Sequence, residues 1–567
     1  MIQMIQMIQI ITSERLIMKR CKCFVQKQLL AGIVLSLIAN TNAFVPLHRT
    51  KRHQTLHSQM HTSKFDVSKS MNNDEILSKM EEMIFDSNWK QNQFDILNKI
   101  DKQHQIDVES SSFVTESKSN TIPISYDVVT AYLPSNHPNQ LHTIAARTKQ
   151  ALLNKDEIKT IIHAAEDHWR LSTNKETSRF TYQRKGNSEA HISDLGPKIQ
   201  SIINEMLQTK AYPLLRKLYP HSQSQSQSQS DTSTFSIYDA LMIRYNANEA
   251  MQQNITGAGQ PLHRDLGLYS INIAFNTNTS YIGGGTFFEH QLLQNSNNQP
   301  LKPFGIGHAL IHSSNERHAG AATYQGIRDI LVLFITERYH HHHHYHDYYY
   351  HEYESKWKTP KLEFNARLKA KAMSISDPKL KIMHHHLAVQ MNPNDGEAWL
   401  YLAQSIRQYQ NSKMKHYFNI LWIILQCLEK ASMHSSCDAR VFNDLGLTWM
   451  DVQTQQTQQT ISTLNPAQIN EKIQMYLQKS IELHRLADEA GCQVGMDADA
   501  AKLNLGLHYA NLDDFQNAVN VLKTITTTSE KTTNNNNNNN TMRDYQLQRV
   551  RKDAQTLCQF CERQMAN

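Results

Sequence analysis

The spacing of hydrophobic residues changes twice along the chain. Polar residues dominate from 44 to 125, which predicts a mostly disordered region with one helix around Asp74–Phe85. From 126 to 340 short apolar runs alternate with turn residues, a pattern typical of β-strands. Beyond about residue 361 the apolar positions recur at helical spacing, so this part is predicted to be all-α.

Three elements of the middle region can be predicted more closely. Asn154 and Glu157 have the spacing of a capping box ahead of a row of apolar residues, so an amphipathic helix should begin near Asn154. The run Gly326–Ile335 is apolar and rich in β-branched residues, which is typical of a buried strand. Before it, Gly305–His312 combines a glycine turn with a shorter apolar stretch, which predicts another strand.

His263, Asp265 and His318 are the residue types that hold iron in mononuclear non-haem oxygenases. Such a site uses two imidazoles and one carboxylate on one face of the metal and leaves the opposite face open. Residues two apart in a strand point the same way, so His263 and Asp265 could bind one ion while Arg264 points elsewhere. The third ligand must come from a distant strand, and His318 follows such a segment.

Arg328 lies ten residues after His318, inside the predicted buried strand. A buried guanidinium needs an anionic partner, and its fork of donors suits a carboxylate. A dicarboxylate co-substrate would supply that partner, and a salt bridge within the protein is the alternative. The glycines Gly283–Gly285 also have a purely structural explanation, because a tight turn or bulge before a strand needs positive φ.

Four segments in this order resemble the catalytic domain of 2-oxoglutarate- and Fe(II)-dependent dioxygenases. They are His263-Arg264-Asp265, then Tyr281-Ile282-Gly283-Gly284-Gly285-Thr286-Phe287-Phe288, then His318-Ala319-Gly320, and then Gly326-Ile327-Arg328. Within that superfamily they are most similar to the prolyl 4-hydroxylase and procollagen lysyl hydroxylase branch. The resemblance covers roughly residues 150 to 340. Asp329 departs from the lysyl hydroxylase pattern, in which an aromatic residue usually follows the arginine.

The resemblance implies a catalytic domain of α+β class with a double-stranded β-helix (jelly-roll) core. It implies that His263, Asp265 and His318 hold Fe(II), that the far carboxylate of 2-oxoglutarate pairs with Arg328, and that Tyr245 lies near this co-substrate. With O2, 2-oxoglutarate is oxidatively decarboxylated to succinate and carbon dioxide while a C–H bond is hydroxylated. The same resemblance implies a peptidyl substrate with a prolyl or lysyl side chain, and ascorbate to keep the iron reduced.

Fragments of a repeat occur in the carboxyl-terminal part. Leu445-Gly446-x-x-Trp449 and Leu505-Gly506-x-x-Tyr509 both fit the first-helix signature of tetratricopeptide repeats. The region is therefore predicted to be a degenerate, tetratricopeptide-like helical domain whose groove could hold the substrate peptide or a partner protein. The alternative is a helical bundle that only packs on the barrel.

The amino terminus bears on where the protein is delivered, and the net charge bears on its partners. Basic residues precede the apolar run Leu29–Ile38, and small residues before Phe44 form a cleavage signal, so residues 1–43 are predicted to be a targeting segment. Ten apolar residues are too few to span a bilayer, so no membrane span is expected in the mature chain. The destination is either the secretory pathway (ER or Golgi lumen) or a plastid reached through a bipartite presequence. A net charge of +6 over 567 residues, without base-stacking or zinc-finger patterns, does not indicate nucleic acid.

Cysteines and most histidines are predicted to have no role in the candidate metal site. No cysteine falls between Cys23 and Cys427, so the catalytic region cannot contain a disulfide. Cys558 and Cys561 form a CxxC pair that is predicted to be an ordinary helical pair rather than a metal or redox site. The chain has 30 histidines, and a lone one is usually structural; three are therefore set aside, namely His290, His308 and His312.

The predicted organisation has seven parts. They are a targeting segment (1–43), a mostly disordered region (44–125), the dioxygenase domain (126–340), a His/Tyr-rich linker (341–360), the helical region (361–525), an Asn-rich linker (526–545) and a carboxyl-terminal helix (546–567). Two alternatives for the function stay open. One is a 2-oxoglutarate oxygenase that acts on a small molecule, and the other is a non-catalytic interaction protein with a vestigial barrel.

Overall fold

The computed structural model divides the chain into two compact units. The first comprises Met1–Lys69 and Arg407–Tyr417, and its described residues lie only at the ends of two helices. The second comprises Ser70–Ile406 and Phe418–Asn567 and contains all the strands named below. The structure describes residues 71–85, 88–109, 111, 113–117, 121–132, 141–171, 187–219, 233–252, 257–293, 299–339, 361–410, 417–459, 465–492, 496–526 and 542–566.

The strands form an antiparallel sheet and a smaller two-stranded sheet. Their bounds are β1 Tyr126–Tyr132, β2 Leu141–Thr148, β3 Asn187–His191, β4 Ser233–Asn246, β5 Tyr269–Ala274, β6 Tyr281–Gly283, β7 Thr286–Phe288, β8 Ala309–Ser313, β9 His318–Gly320 and β10 Thr323–Tyr339. The main sheet has the order β1-β2-β8-β5-β10-β4-β3, with β6 paired to the beginning of β10. Strands β7 and β9 form the small sheet.

Helices cover one face of the main sheet. They are α3 (Lys155–Leu171), α4 (Pro197–Met206) and α5 (Tyr212–Leu218), with a π-turn at Leu207–Ala211 between the last two. Their apolar residues form one buried core with alternate residues of β4, β5, β8 and β10. The capping box that starts α3 is confirmed, because the Asn154 side chain accepts from the Glu157 N–H at 2.9 Å and the Asn154 N–H donates to the Glu157 carboxylate at 2.7 Å.

The opposite face of the main sheet carries the other set of alternate residues from β4 and β10. They are buried as a separate group, Leu241, Ile243, Tyr245, Ile330 and Val332, together with Ala250 and Ala258. Because side chains alternate between the faces of a strand, the long strands β4 and β10 each contribute to both groups. This second face lines the cavity described below.

The prediction of a mostly disordered region was wrong for α2, which spans Trp89–Glu109. Helix α1 (Asn73–Ile84) lies where one helix was predicted, and it begins with an Asn72–Glu75 capping box. The apolar stripe of α2 is broken by polar residues, which hides it in the sequence. One of them, His104, is buried and lies 3.0 Å from the Glu363 carboxylate, so a distant partner stabilises it.

Beyond the strands the described chain is helical. The helices are α7 Lys361–Met373, α8 Pro378–Met391, α9 Gly396–Gln410, α10 Tyr417–His434, α11 Ala439–Gln459, α12 Pro466–Glu489, α13 Met496–Asn511, α14 Phe515–Thr526 and α15 Met542–Ala566, and a short α6 (Ala247–Gln252) lies among the strands. The fold is thus α+β with an antiparallel sheet and a helical region, which confirms the fold class at this level. Among the described helices, none is long and apolar enough to cross a membrane.

The two predicted repeat fragments occupy equivalent places. Gly446 on α11 packs against Leu477 on α12, and Gly506 on α13 packs against Leu522 on α14. A Cβ at either glycine would come within 2.7 Å of the leucine side chain, so close helix packing explains both glycines. The tetratricopeptide assignment itself stays a prediction.

Several predicted segments lie outside the described residues. They are the targeting segment 1–43 with the chain up to residue 70, the His/Tyr-rich linker 341–360 and most of the Asn-rich linker 526–545.

Candidate active site

The backbone brings the predicted metal ligands together from two distant segments. His263 and His318 face each other in an antiparallel bridge, in which each N–H donates to the other's carbonyl, at 2.8 and 2.9 Å. Asp265 follows His263 by two residues, so its side chain points to the same side of the extended chain as that of His263. The positions of all three side chains therefore depend on one short stretch of main-chain pairing.

The three side chains offer ligand atoms that converge. One atom from each lies within 4.8 Å of the others. The His263 Nε2 atom is 3.3 Å from Asp265 Oδ1, and the His318 Nε2 atom is 3.4 Å from Asp265 Oδ2. This is the spacing of donors around a common ion, with two imidazoles and one carboxylate on one side of it.

The hydrogen bonds of both imidazoles suit metal binding. His263 Nδ1 lies 2.7 Å from the Pro261 carbonyl, and His318 Nδ1 lies 2.9 Å from the Glu316 carbonyl. A carbonyl can only accept, so each Nδ1 carries the proton and each Nε2 presents a lone pair. The residues present thus fit a divalent metal with nitrogen and oxygen ligands.

Electrostatics favour the metal-binding protonation states of His318 and Asp265. Burial lowers the pKa of His318 to about 3, so its imidazole is neutral at physiological pH. Burial alone would raise the pKa of Asp265, but His318 and His263 more than offset this and hold it below its usual range. Ser270 Oγ also donates to Asp265 Oδ2 at 2.5 Å and lies 3.1 Å from Ser314 Oγ. A neutral imidazole and a fixed carboxylate are the ligand forms that metal binding requires.

Arg328 and Tyr245 are direct neighbours across β10 and β4. The Arg328 guanidinium lies 5.0 Å from the centre of the Tyr245 ring, and both side chains are buried. Within the described part of the chain no carboxylate pairs with Arg328, and its Nη1 atom has no hydrogen-bond partner. The Thr323 hydroxyl is also buried without a partner. These two groups are therefore free to bind a ligand.

The glycine turn makes room for this arginine. Gly283, Gly284 and Gly285 all have positive φ, at 82°, 65° and 114°, which confirms the structural explanation of the triplet. A Cβ at Gly284 would also lie 2.9 Å from Arg328 Cδ and 3.1 Å from the Thr323 hydroxyl. The turn therefore has a second role, because it allows the backbone to approach Arg328 and Thr323 closely.

Asp329, which departs from the family pattern, pairs with another arginine. Arg244 donates to both of its carboxylate oxygens, at 2.8 and 2.9 Å, and also to Glu166. Asp329 is adjacent to Arg328 in the strand, so its side chain points to the other face. The departure leaves the cavity side of β10 unchanged.

All five predicted site residues line one cavity of about 630 Å³. Its size lies within the range of small-molecule and cofactor sites. Part of its wall comes from the helical region, which the sequence did not indicate. These residues are Leu362, Ala366, Lys369, Ala370 and Met373 of α7, Glu397 and Tyr401 of α9, and Arg440 of α11.

One histidine that the sequence analysis set aside lies beside the site. His312, on β8, is fully buried, and its ring centre is 4.4 Å from that of His318. Its Nδ1 atom lies 3.0 Å from the Ser313 carbonyl, and burial lowers its pKa. His312 therefore packs as a neutral ring against His318, one of the candidate metal ligands. No local signal distinguishes it from the other histidines of the chain.

Elsewhere in the described chain, no other group of His, Cys, Asp or Glu residues is placed to hold a metal. Cys558 and Cys561 lie in the core between α14 and α15 as free thiols. Burial raises the pKa of Cys561 to about 11, which makes it a poor thiolate. These observations agree with an ordinary helical pair.

Comparison with known proteins gives only distant similarities. No family model and no curated protein matches the chain. Among solved structures, an oxidoreductase of the 2OG-Fe(II) oxygenase family from Burkholderia pseudomallei is 12% identical with a TM-score of 0.23, covering 34% of this chain and 84% of that one. The α-ketoglutarate-dependent epimerase SnoN of nogalamycin biosynthesis is 14% identical with a TM-score of 0.25, covering 34% and 79%.

A third similar structure is a prolyl hydroxylase from Trichoplax adhaerens in complex with a peptide of hypoxia inducible factor. It is 11% identical with a TM-score of 0.22, and the match covers 45% of this chain and 95% of that one. At such TM-scores these similarities establish neither a family nor a function, so a proposal of function has to rest on the side chains.

Proposed function

We propose that the protein is a 2-oxoglutarate- and O2-dependent Fe(II) dioxygenase that hydroxylates a C–H bond. The observation that carries the proposal is the unpaired, buried Arg328 on the same cavity as the three convergent ligand atoms. A metal site alone would fit many chemistries, but a buried cation without an acid partner beside it calls for an anionic ligand. In this proposal the main sheet and the β7–β9 sheet are the two halves of a double-stranded β-helix.

Each residue has a defined task. His263, Asp265 and His318 would hold the iron, and the carbonyls of Pro261 and Glu316 orient the two imidazoles. Iron with 2-oxoglutarate and O2 supplies the oxidising chemistry, in which succinate and carbon dioxide form as a C–H bond becomes C–OH. Arg328 would bind the far carboxylate of 2-oxoglutarate through its fork of donors.

Two buried hydroxyls complete the co-substrate pocket. Tyr245 lies against the Arg328 guanidinium, and burial raises the pKa of its phenol to about 12, so it remains a hydrogen-bond donor. Thr323 places a second hydroxyl beside the glycine turn. Together with the apolar residues of β4 and β10 they would keep water away from the anion, which strengthens its attraction to Arg328.

The proposed substrate is a prolyl or lysyl side chain of a protein or peptide, and ascorbate is the proposed reductant that keeps the iron ferrous. Support for both is the sequence resemblance to the prolyl and lysyl hydroxylase branch. We also propose that the helical region binds a peptide or a partner protein. Delivery of the protein to the secretory pathway or to a plastid is a further proposal. A small-molecule substrate is the second candidate, favoured by the volume of the cavity, about 630 Å³.

The test is succinate formation by the full-length chain with Fe(II), 2-oxoglutarate and ascorbate. Peptides that contain proline, lysine or neither are compared, and mass spectrometry locates the added oxygen. We expect succinate formation to rise with a proline- or lysine-containing peptide. A variant with His318→Ala should lose turnover to background, because one of three ligands is gone.

The outcomes separate the candidates. Turnover that survives His318→Ala would rule out the assigned metal site. Turnover that no peptide stimulates would point to the small-molecule alternative. A chain that binds neither Fe(II) nor 2-oxoglutarate would revive the interaction protein with a vestigial barrel.

A further inference from the structure

The residues next to the metal ligands reach into the helical region. Arg264 lies between His263 and Asp265, and Arg317 precedes His318. Because alternate residues of an extended chain point in opposite directions, both arginines diverge from the ligand side chains, although Arg264 still borders the cavity. We call Arg264 and Arg317 the interface arginines.

The interface arginines are held by three buried acids, here called the interface acids: Asp395, Glu397 and Asp438. Arg264 forms ion pairs with the Glu397 carboxylate at 3.3 Å and that of Asp395 at 3.7 Å, while its hydrogen bonds go to the carbonyl and the side chain of Asn315. Arg317 lies 3.2 Å from the Asp438 carboxylate, and it also pairs with Glu289 of the barrel. Each ligand segment is therefore tied to a different helix, the first to α9 and the second to α11.

The helix termini fix the interface acids. Asp395 precedes α9 and accepts from the Glu397 N–H at 3.0 Å. Asp438 precedes α11 and accepts from the Arg440 N–H at 3.1 Å. Both act as helix caps, so their carboxylates are held in place before they contact an arginine.

Two cations of the helical region link the interface acids to one another. Arg440 donates to Glu397 at 2.8 Å and to Asp438 at 2.7 Å. Lys369 donates to Asp395 at 2.6 Å and to Glu397 at 3.1 Å. All these groups are buried or nearly so, so the cluster behaves as one network that rigidly joins α7, α9 and α11.

A second contact holds the strand that carries His318. Ala319 and Phe287 pack against Ala487, Ala490 and Cys492 at the end of α12. The Ala322 N–H, just beyond β9, donates to the Gly491 carbonyl at 3.0 Å. The residues on both sides of His318 thus contact the helical region, while His318 itself faces the cavity.

We propose that the helical region positions the metal ligands. The interface acids hold the interface arginines, and these arginines fix the positions of the neighbouring ligands. Arg264 and Arg317 are positioning residues in this scheme, since they act through their neighbours and do not touch the metal. The inference rests on the metal site of the proposed function. It does not depend on the co-substrate or on the substrate.

The test uses Co(II) as the metal probe in the full-length chain, without 2-oxoglutarate. The dissociation constant is measured by titration, and the visible absorption of bound Co(II) reports the ligand geometry. We expect Glu397→Gln and Asp438→Asn each to weaken binding about 10- to 100-fold, the range found when outer partners of metal ligands are removed, and to change the Co(II) spectrum. Glu397→Asp keeps the charge and should restore most of the affinity.

A matched control is Glu482→Gln on α12, because Glu482 pairs at 2.6 Å with Arg485 on the surface, away from the ligands. It should leave both the affinity and the spectrum as in the wild type. Circular dichroism and the unfolding temperature verify that each variant is folded. If either acid variant does not fold, Arg264→Lys replaces it, since lysine keeps the charge but lacks the fork of donors.

Folded variants at Glu397, Asp438 or Arg264 with the wild-type affinity and spectrum would overturn the inference. Wild-type protein that binds Co(II) but forms no succinate with Fe(II) would contradict the proposed function alone. Wild-type protein that binds no Co(II) would contradict both.

Discussion

Buried and half-buried arginines occur in two regions of this molecule, and their partners differ. Beside the cavity, Arg328 has no acid partner among the described residues. Between the strands and the helical region, Arg264, Arg317 and Arg440 all face carboxylates. Burying a charge is costly unless it is paired. The contrast therefore separates a charge without an acid partner, to which we assign an anionic ligand, from charges that join two parts of the chain.

The largest expected effect of this contrast is on stability. Arg264→Met should reduce the free energy of unfolding by about 3–5 kcal/mol, because it breaks a buried ion pair and leaves carboxylates with fewer partners. Arg328→Met should change it by less than about 1 kcal/mol, because no internal pair is broken. Urea unfolding of both variants measures the difference. Equal losses would mean that Arg328 has an internal partner after all.

The next effect concerns 2-oxoglutarate. Arg328→Met should raise the KM for 2-oxoglutarate about 10- to 100-fold, since a hydrogen-bonded charged group contributes about 1.5–3 kcal/mol. Initial rates of succinate formation over a range of 2-oxoglutarate concentrations measure this. Co(II) affinity in the absence of 2-oxoglutarate serves as the control and should stay unchanged. An unchanged KM would remove Arg328 from the co-substrate site.

A smaller effect should appear in acid. Burial would raise the pKa of Asp395 and Glu397, but Lys369 and Arg264 outweigh it and hold both pKa values below the ordinary 3.8 and 4.5. Carboxylates with a lowered folded pKa contribute stability that is present above the unfolded pKa and is lost as pH falls further. The stability difference between wild type and Glu397→Gln should therefore shrink from pH 7 to pH 3.5. Urea unfolding at both pH values measures it, and a constant difference would contradict the ion-pair account.

The smallest effect is expected at the hydroxyl that fixes Asp265. Ser270→Ala should weaken Co(II) binding about tenfold, because Asp265 loses the donor that orients it. Ser314→Ala is the control, since Ser314 contacts Ser270 and should cause a smaller change. If both variants bind alike, Ser270 does not orient the ligand. Titration with Co(II) distinguishes the two results.

The same contrast explains what the sequence could predict. His263, Asp265, His318 and Arg328 were found because their chemistry is local: a two-residue spacing, a ten-residue step and a buried strand. The capping box of α3 was predictable for the same reason. Each of these signals is contained in a few neighbouring residues.

The missed features depend on docking between distant segments. Asp395 and Glu397 look like ordinary residues at the start of a helix, and nothing in the sequence pairs them with Arg264. Helix α2 was hidden because His104 interrupts its apolar stripe and finds its partner only in α7. His312 was lost among 30 histidines because its neighbour His318 lies on another strand.

The order of the residues in the chain has a consequence for synthesis. The ligands His263, Asp265 and His318 emerge from the ribosome before Asp395, and Asp438 emerges later still. If the strands fold as they emerge, the ligands lie on segments whose arginines still lack their partners from the helical region. In the proposed scheme, tight capture of iron follows completion of the helical region, so cofactor loading selects for chains whose carboxyl-terminal part has been made and docked.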